Sequence, residues 1–275
     1  MSNKEDALKE ILADLGSAVV AYSGGVDSTY LAVLAHEVLG ERSLSVTAVS
    51  PSLAEREREE AVELAQRFGL KHRLLETHEM DNPLYMANNA SRCFFCKEEL
   101  FIQLSQLASN EGYSWVIDGF NFDDLKDFRP GHKAGEKYGI RSPLFEAQLT
   151  KEEIRAYSHQ RGLPTWDKPA MACLSSRIPY GTPVDIEVLK RIDAAETFLH
   201  DRGFRQLRVR HHDTIARIEV SPEDLLRLAE PQLRAAVVQK LRELGYLYVT
   251  LDLAGYRMGS LNEAVPVLAR RANSP

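Results

Sequence analysis

The chain has 275 residues, 44% of them hydrophobic, which is enough for one large core and a second, smaller one. A formal net charge of −6 argues against a broad nucleic-acid surface, because phosphate backbones require a clustered basic excess. The polar N-terminus lacks a secretory apolar run, and no apolar stretch is long enough to span a bilayer. We therefore expect a cytoplasmic protein with neither a membrane nor a nucleic-acid partner.

The first half of the chain alternates strand and helix patterns. Short apolar runs of strand type lie at 17–22, 43–50, 72–77 and 115–119. Helical patterns separate them at 29–40, 53–69 and 97–111. This alternation predicts a parallel sheet with helices on both faces. A further helix is expected to begin at Thr150, because Thr150 and Glu153 have the spacing of a capping box.

From about residue 182 the pattern changes. Thr182-Pro183 and Ser221-Pro222 each combine a capping residue with a proline suited to the first helical position, so a helix is expected after both. Residues 206–220 alternate as two strands around a turn that His211 and His212 are expected to cap, and 246–253 has a last strand pattern. The sequence therefore predicts an α/β parallel-sheet domain over 1–181 and a smaller α+β domain over 182–275, with a frayed tail at 268–275.

The strongest local signal is Ser-Gly-Gly-Val-Asp-Ser at 23–28, between a predicted strand and a predicted helix. Gly24 and Gly25 allow a tight turn in which backbone N–H groups approach an anion closely. The helix that follows adds its N-terminal donors. Ser23 and Ser28 can add hydroxyl hydrogen bonds, and Asp27 can hold Mg²⁺ against phosphates. The alternative is an ordinary strand-to-helix turn.

Polar residues after the other strands are further candidates for nucleotide contacts. Ser50 ends the second strand, where an open α/β sheet places ligands, although it would equally cap the turn before Pro51. Asn121, Asp124 and Arg129 lie in a polar, turn-rich stretch after the fourth strand. They either contact the nucleotide or shape a long loop.

The three cysteines favour metal or redox chemistry over a disulfide scaffold, because their number is odd and the compartment is expected to be reducing. Cys93 and Cys96 form a Cys-x-x-Cys pair, expected on one side of a turn, with a spacing common to zinc and iron–sulfur sites. Buried apolar cysteines are the alternative. Cys173 lies in the proline-rich stretch 164–183, whose composition is unusual for a plain connection.

Six segments carry a resemblance that extends over nearly the whole chain. They are SGGVDS at 23–28, CFFCK at 93–97, DGFNFDD at 118–124, RSPL at 141–144, KPAMACLSSRIPYG at 168–181 and LRVRHHD at 207–213. In this order they closely resemble the LarE family of ATP-dependent sulfurtransferases, within the PP-loop ATP pyrophosphatases. The resemblance implies a PP-loop domain that splits ATP into AMP and pyrophosphate.

The resemblance also implies a substrate. In this family a pyridinium-3,5-dicarboxylate mononucleotide is adenylated on each carboxylate and converted to the thiocarboxylate for the nickel-pincer nucleotide cofactor. Arg208 and Arg210 match arginines that bind the substrate phosphate, and Ser176, Glu196 and Glu219 are expected in the same region. From spacing alone, the two arginines lie on one strand face, which is solvated in most such pairs. A homo-oligomer is also implied.

Two sulfur strategies occur in the family. A single cysteine, at the position of Cys173, gives up its own sulfur and becomes dehydroalanine. Alternatively, three cysteines hold a [4Fe–4S] cluster that carries an extra sulfide from a sulfur donor. This chain has all three, so the resemblance implies that Cys93, Cys96 and Cys173 ligate a cluster.

Other functions stay open at this point. A tRNA thiolase of the PP-loop class shares the adenylation chemistry but needs a basic surface for its tRNA. An amide synthetase would leave the cysteines unexplained, and a nucleotide-binding sensor would not need a complete SGGVDS sequence. The acceptor on which pyrophosphate release depends separates these functions.

Overall fold

The computed structural model describes residues 4–126 and 130–257. The chain divides into two compact units. The first comprises Met1–Asn82 and Ser91–Met171, and the second comprises Pro83–Ala90 and Ala172–Pro275. The predicted boundary after residue 181 stays a prediction, since compactness alone does not define a domain that folds independently.

The first unit contains a four-stranded parallel sheet with the strand order β3-β2-β1-β4. The strands are β1 (Ala18–Ala21), β2 (Ser43–Val49), β3 (His72–Glu76) and β4 (Trp115–Ile117). In the register of the central pair, Ala21 lies beside Val46. The carboxyl ends of all four strands therefore meet at one edge of the sheet, where open α/β sheets bind ligands.

Helices of the first unit cover the sheet. They are α1 (Lys4–Leu15), α2 (Val26–Leu39), α3 (Glu55–Arg67), α5 (Arg92–Glu111), α6 (Pro130–Lys137), α7 (Pro143–Glu146) and α8 (Lys151–Gln160). The short α4 (Pro83–Met86) belongs to the second unit. Val20 of β1 packs in a core with Leu31 of α2, whereas Val19 packs in another with Phe101 of α5. Successive strand residues point to opposite faces, so both faces are covered and the predicted α/β fold is confirmed.

The starts of two helices differ from the predicted ones. The pattern predicted helices over 29–40 and 97–111, whereas α2 begins at Val26 and α5 at Arg92. The first turns of both helices lack apolar periodicity, so a prediction based on periodicity placed the helix starts too late. The capping box of α8 is confirmed, because Glu153 N donates to Thr150 Oγ1 at 3.3 Å and Thr150 N donates to Glu153 Oε2 at 2.9 Å.

The second unit contains a three-stranded sheet with the order β5-β6-β7. Its strands are β5 (Leu207–His212), β6 (Ile215–Val220) and β7 (Tyr248–Leu251), and its longer helices are α9 (Ile186–His200), α10 (Leu225–Ala229) and α11 (Pro231–Glu243). β5 and β6 form the predicted antiparallel hairpin, and β7 runs parallel to β6. A separate core, including Leu199, Phe204 and Val209, fills this unit.

Two predictions in the second unit are wrong. Asp185, not Thr182, caps α9, because Val188 N donates to Asp185 Oδ1 at 3.0 Å. Residues 182–184 instead pair with the 86–88 segment, where Val184 N donates to the Met86 carbonyl at 2.9 Å.

His211 and His212 lie within β5 and do not cap the turn. The turn follows at Asp213, whose φ is 51°. The tail at 268–275 lies outside the described residues. No helix within residues 4–126 and 130–257 has the length and apolar character needed to cross a bilayer.

Candidate functional site

The turn between β1 and α2 is shaped by Gly24. This glycine has a φ of +69°, which L-residues rarely adopt. A Cβ added there would lie 2.9 Å from Cβ of Ala61 on α3. The turn therefore needs a glycine for its conformation and again for its close contact with α3.

The two serines of the loop hold the turn together. Ser23 Oγ and Ser28 Oγ lie 3.0 Å apart, and Ser23 N donates to Ser28 Oγ at 3.2 Å. Gly25 is the N-cap of α2 and gives no side-chain cap hydrogen bond. The N–H groups of the first helical turn are therefore not taken by a side-chain cap, which suits an anion.

The loop after β4 lies against the start of α2. A Cβ added to Gly119 would be 3.1 Å from Ser28 N and 3.3 Å from Asp27 Cβ. Only a glycine allows this approach without a shift of the phosphate loop. Sequence reasoning missed Gly119, although its signal was present as a glycine at the end of a predicted buried strand.

The two carboxylate oxygens of Asp27 have different surroundings. Oδ2 forms a salt bridge with Nζ of Lys151 at 2.5 Å. Oδ1 is buried and has no hydrogen-bond partner among the described residues. A buried carboxylate oxygen without a partner is costly unless a ligand or ion completes it. Oδ1 at the phosphate loop therefore fits the predicted Mg²⁺, which prefers carboxylate oxygen.

Two lysines reach the phosphate loop from distant parts of the chain. Lys151 is the first residue of α8, and Lys168 follows that helix. Lys168 Nζ donates to the Gly24 carbonyl at 3.2 Å and pairs with Glu60 Oε2 at 2.9 Å. The sequence prediction found no lysine directly after the loop and missed both. They supply the cationic charge that the loop sequence lacks.

Arg155 and Glu60 position Lys168. Arg155 donates to the carbonyls of Trp166 and Lys168, the latter at 2.8 Å. Burial raises the pKa of the Glu60 carboxyl, but Lys168 and Arg56 outweigh that effect and hold the pKa below its ordinary value. The phosphate loop is thus next to two lysines, each paired with a carboxylate, that can also attract phosphate groups.

The other predicted nucleotide contacts have local partners. Ser50 Oγ lies 2.8 Å from Ser52 Oγ and accepts from Ser52 N at 3.2 Å. Asn121 Oδ1 accepts from Asp123 N at 3.0 Å, and Asp124 Oδ2 accepts from Asn121 N at 3.1 Å. All three side chains therefore shape their own turns, and their contacts with ATP stay predictions.

Asp123 was missed by the sequence prediction. Its Oδ2 accepts from Lys151 N at 2.9 Å, which joins the turn after β4 to the start of α8. Arg129, the last predicted nucleotide contact, lies outside the described residues.

Cys93 and Cys96 lie in the first two turns of helix α5, and not in a turn that precedes the helix as predicted. At a spacing of three residues they share one helix face. Cys93 is exposed and Cys96 is half-buried, and neither is in a disulfide. Cys173 belongs to the second unit, is half-buried and directly precedes the 3₁₀ turn Leu174–Arg177. Across residues 4–126 and 130–257, no three His, Cys, Asp or Glu side chains form a metal-binding group.

A buried arginine holds the loop that carries Cys173. Arg177 Nη1 donates to the carbonyls of Ala172 and Cys173, the latter at 2.9 Å, and to Ser176 Oγ at 3.1 Å. The other edge of its guanidinium pairs with Glu196 on α9. Glu196 Oε1 also accepts from Val209 N of β5 at 2.8 Å. Burial raises the pKa of Glu196, but Arg177 outweighs this and the pKa lies below its ordinary value.

Arg208 and Arg210 are buried, which excludes the solvated strand face that their spacing allowed. Arg210 Nη2 pairs with Glu219 Oε2 at 2.8 Å, and Nη1 donates to the Ser176 carbonyl at 2.9 Å. Arg208 Nη1 donates to the Leu207 carbonyl at 2.6 Å. Burial and the nearby charge of Arg177 lower the pKa of Arg208.

Buried charges of both signs lie together in this cluster. Arg177, Arg208 and Arg210 are buried together with two buried carboxylates, Glu196 and Glu219. Guanidinium groups that lie together in this way can bind an anionic ligand through paired hydrogen bonds. All five residues lie in the second unit.

The comparisons with known proteins extend over both units. The family model of NAD synthase matches residues 1–94, which include the phosphate loop. A pyridinium-3,5-bisthiocarboxylic acid mononucleotide synthase from Lactiplantibacillus plantarum is 35% identical over 270 residues, 96% of each chain. The chain belongs to the LarE family. It is thus an ATP-dependent sulfurtransferase of the PP-loop class, as its motifs predicted.

Two further relatives show how far the similarity of this LarE-family chain extends. An uncharacterized protein from Synechocystis is 47% identical over 265 residues, 96% of this chain and 99% of the relative. A glutamine-hydrolyzing GMP synthase from Dinoroseobacter shibae is 30% identical over 188 residues, 58% of this chain and 35% of the relative. The similarity to this other PP-loop enzyme is therefore partial, whereas that within the LarE family extends over both units.

Proposed function

We propose that this enzyme uses ATP to convert both carboxylates of pyridinium-3,5-dicarboxylate mononucleotide into thiocarboxylates, a step in the biosynthesis of the nickel-pincer nucleotide cofactor. The relative from L. plantarum, matched over 96% of each chain, is named for the bisthiocarboxylic product. The observation in this chain that carries the proposal is the phosphate loop in which Asp27 Oδ1 lacks a partner and two lysines converge.

Adenylation is the first half of the reaction. A substrate carboxylate oxygen attacks the α-phosphorus of ATP, the bond to the bridging oxygen breaks, and pyrophosphate leaves. Negative charge grows on the pyrophosphate, so the N–H groups of the first turn of α2, with Lys151 and Lys168, stabilise it where it develops. Asp27 would hold Mg²⁺ through Oδ1, and the positive charge of the ion would neutralise phosphate charge.

Sulfur transfer is the second half. Thiolates are preferred ligands of iron–sulfur clusters, so Cys93, Cys96 and Cys173 would hold the [4Fe–4S] cluster that the family resemblance implies. Such a cluster, when bound, would supply sulfide that comes from an external donor. The protein's task is then to present the acyl adenylate, from which AMP departs as the leaving group.

The buried cationic cluster of the second unit is the proposed substrate-phosphate site. Arg208 and Arg210 would bind the phosphate, because guanidinium pairs with phosphate through two hydrogen bonds. Glu219 and Glu196 orient guanidinium groups in this cluster, and Ser176 contributes its carbonyl to Arg210. We further place the enzyme in the cytoplasm as a homo-oligomer, as the family implies.

The test is the dependence of pyrophosphate release on the acceptor. Anaerobically isolated enzyme should release AMP and pyrophosphate only when the pyridinium nucleotide is present. Asp27→Asn should abolish Mg²⁺-dependent release, whereas the matched variant Asp14→Asn, at an exposed position of α1, should not. Stoichiometric ADP would contradict adenylation, and release that depends on tRNA would assign the enzyme to the tRNA thiolases.

A further inference from the structure

Glu79 is a buried acidic residue that the proposed mechanism does not use. It begins a 3₁₀ turn after β3 and is 3% exposed. Ser52 Oγ donates to its Oε1 at 2.8 Å, and Thr77 Oγ1 donates to its Oε2 at 2.9 Å. Within the described part of the chain, no lysine, arginine or histidine pairs with Glu79. Two hydroxyl groups therefore provide its hydrogen bonds.

These contacts determine which hydroxyl donates and which accepts in the hydrogen bonds that link Ser50, Ser52 and Glu79. The hydroxyl hydrogen of Ser52 is committed to Glu79. In the contact of 2.8 Å between Ser50 Oγ and Ser52 Oγ, the hydrogen must therefore come from Ser50. Ser50 Oγ also accepts from Ser52 N at 3.2 Å. The hydroxyl hydrogen of Ser50 is therefore already used, and its oxygen has one acceptor lone pair left for a further hydrogen bond.

Ser50 lies where a nucleoside bound at the phosphate loop can reach. It follows the end of β2, four residues beyond Val46, which pairs with Ala21 at the end of β1. Four residues of strand span about 13 Å. The phosphate loop starts just after Ala21, so Ser50 lies at the same edge of the sheet, displaced along the neighbouring strand. Ser50 is also half-buried, so part of the residue is exposed at this edge.

We propose that Ser50 accepts a hydrogen bond from the 6-amino group of adenine, and that Ser52 and Glu79 are the positioning residues that make it an acceptor only. This inference rests on the proposed use of ATP. A phosphate oxygen is itself an acceptor and would be repelled. A ribose hydroxyl rotates to donate or accept and gains little from a fixed partner. The exocyclic amine is a permanent donor, and the 6-oxo group of hypoxanthine or guanine is a permanent acceptor.

The test compares ATP with ITP, which carries an oxo group in place of the 6-amino group. The kcat/KM for pyrophosphate release should favour ATP by about tenfold or more in the wild type, because a site built for a hydrogen bond rejects the mismatched group. Ser52→Ala frees the Ser50 hydroxyl to rotate and donate, so this preference should fall several-fold. Thr77→Val removes the other hydroxyl on Glu79 but leaves the Ser50–Ser52–Glu79 chain intact, and its ATP preference should stay as in the wild type.

Two further measurements separate the possible failures. An ATP preference equal in wild type and Ser52→Ala would overturn the inference while leaving ATP-dependent sulfur transfer untouched. Discrimination against 2′-deoxy-ATP that Ser50→Ala alone removes would place the ribose at Ser50 and also overturn it. Equilibrium binding of ATP and ITP is measured in parallel. Selective ATP binding that depends on Ser52, without pyrophosphate release, would reject the proposed reaction and keep the inference.

Discussion

Arg177 and Glu196 form a buried, two-point ion pair in which Nε meets Oε1 at 2.9 Å and Nη2 meets Oε2 at 2.7 Å. Their side chains are 3% and 5% exposed. The remaining nitrogen of the guanidinium donates to the carbonyls of Ala172 and Cys173. One side chain therefore joins the main chain at Cys173 to α9.

Replacing Arg177 with lysine should separate the two halves of the reaction. A single ammonium can keep the charge pair with Glu196 but cannot also hold both carbonyls. Hydrogen bonds from a charged donor contribute about 1.5–3 kcal/mol, so sulfur transfer should fall about tenfold or more. Pyrophosphate release at saturating pyridinium nucleotide should keep its rate. Product thiocarboxylate and pyrophosphate are quantified in the same reaction.

The control for this variant is Arg161→Lys. Arg161 also makes a two-point pair, with Glu5, but it lies in the first unit. If both variants lowered thiocarboxylate and pyrophosphate in parallel, the effect of Arg177 would be general destabilisation and not the position of Cys173.

Cysteine replacements distinguish the two sources of sulfur. If a cluster needs all three thiolates, Cys93→Ser should abolish sulfur transfer as fully as Cys173→Ser, and both should lower the bound iron. With added sulfide the wild type should turn over many times. A sacrificial mechanism predicts an active Cys93→Ser, a single turnover and dehydroalanine at position 173, which intact-protein mass spectrometry would detect.

Gly24→Ala should disable the phosphate loop. The left-handed conformation costs an alanine about 1–2 kcal/mol, and the new Cβ also meets Ala61 Cβ at 2.9 Å. Gly69→Ala is the matched control, because Gly69 has a φ of +62° but open space around its Cβ position. Urea unfolding should show the larger loss for Gly24→Ala, together with weaker ATP binding. Adding Ala61→Gly should restore part of both; no restoration would argue against the contact as the cause.

Arg208→Ala should weaken binding of the pyridinium nucleotide. Loss of a charge-assisted contact worth about 1.5–3 kcal/mol corresponds to a rise of roughly tenfold or more in the apparent substrate constant. The KM for ATP should stay unchanged. Arg234→Ala is the control, since Arg234 is an exposed arginine of the same unit. Unchanged substrate affinity in Arg208→Ala would place the phosphate elsewhere.

The pH dependence of stability should report on Glu5. Hydrogen bonding to Arg161, working against burial, lowers the pKa of Glu5 from 4.5 to about 2. The ionised form is thus favoured in the folded state, and its stabilisation is present above pH 4.5 and lost as the pH falls toward 2. The difference in unfolding free energy between wild type and Glu5→Gln should be largest near neutral pH and shrink below about pH 4.5. A constant difference from about pH 7 to about pH 3 would contradict this linkage.

Local patterns predicted the fold well, because the order of strands and helices depends on apolar periodicity and caps. The Thr150 capping box depends on residues three apart and was confirmed. The Thr182 cap was wrong because its neighbours pair with 86–88, a contact between segments far apart in sequence. The start of α5 was predicted too late, because Cys93-Phe94-Phe95-Cys96 shows no amphipathic pattern.

The candidate site divides in the same way. Ser23–Ser28 could be found from sequence, because a turn and a helix N-terminus bind phosphate by local backbone geometry. Lys151, Lys168 and Gly119 could not, since only the packing of other segments brings them to that loop. The pairing of Glu196 with Arg177 also needed tertiary structure.

The long distance in sequence between the phosphate loop and its two lysines has a consequence for protein synthesis. Lys151 lies 124 residues after Asp27, and Lys168 lies 144 residues after Gly24. A ribosome makes the loop long before it makes either cation. A nascent chain with β1 and α2 folded therefore holds the N–H groups but not the lysine charges, and its affinity for ATP should reach its full value only once residue 168 has left the exit tunnel. Arrested chains of increasing length, assayed for nucleotide binding, would show this late gain as a step and not as a gradual rise.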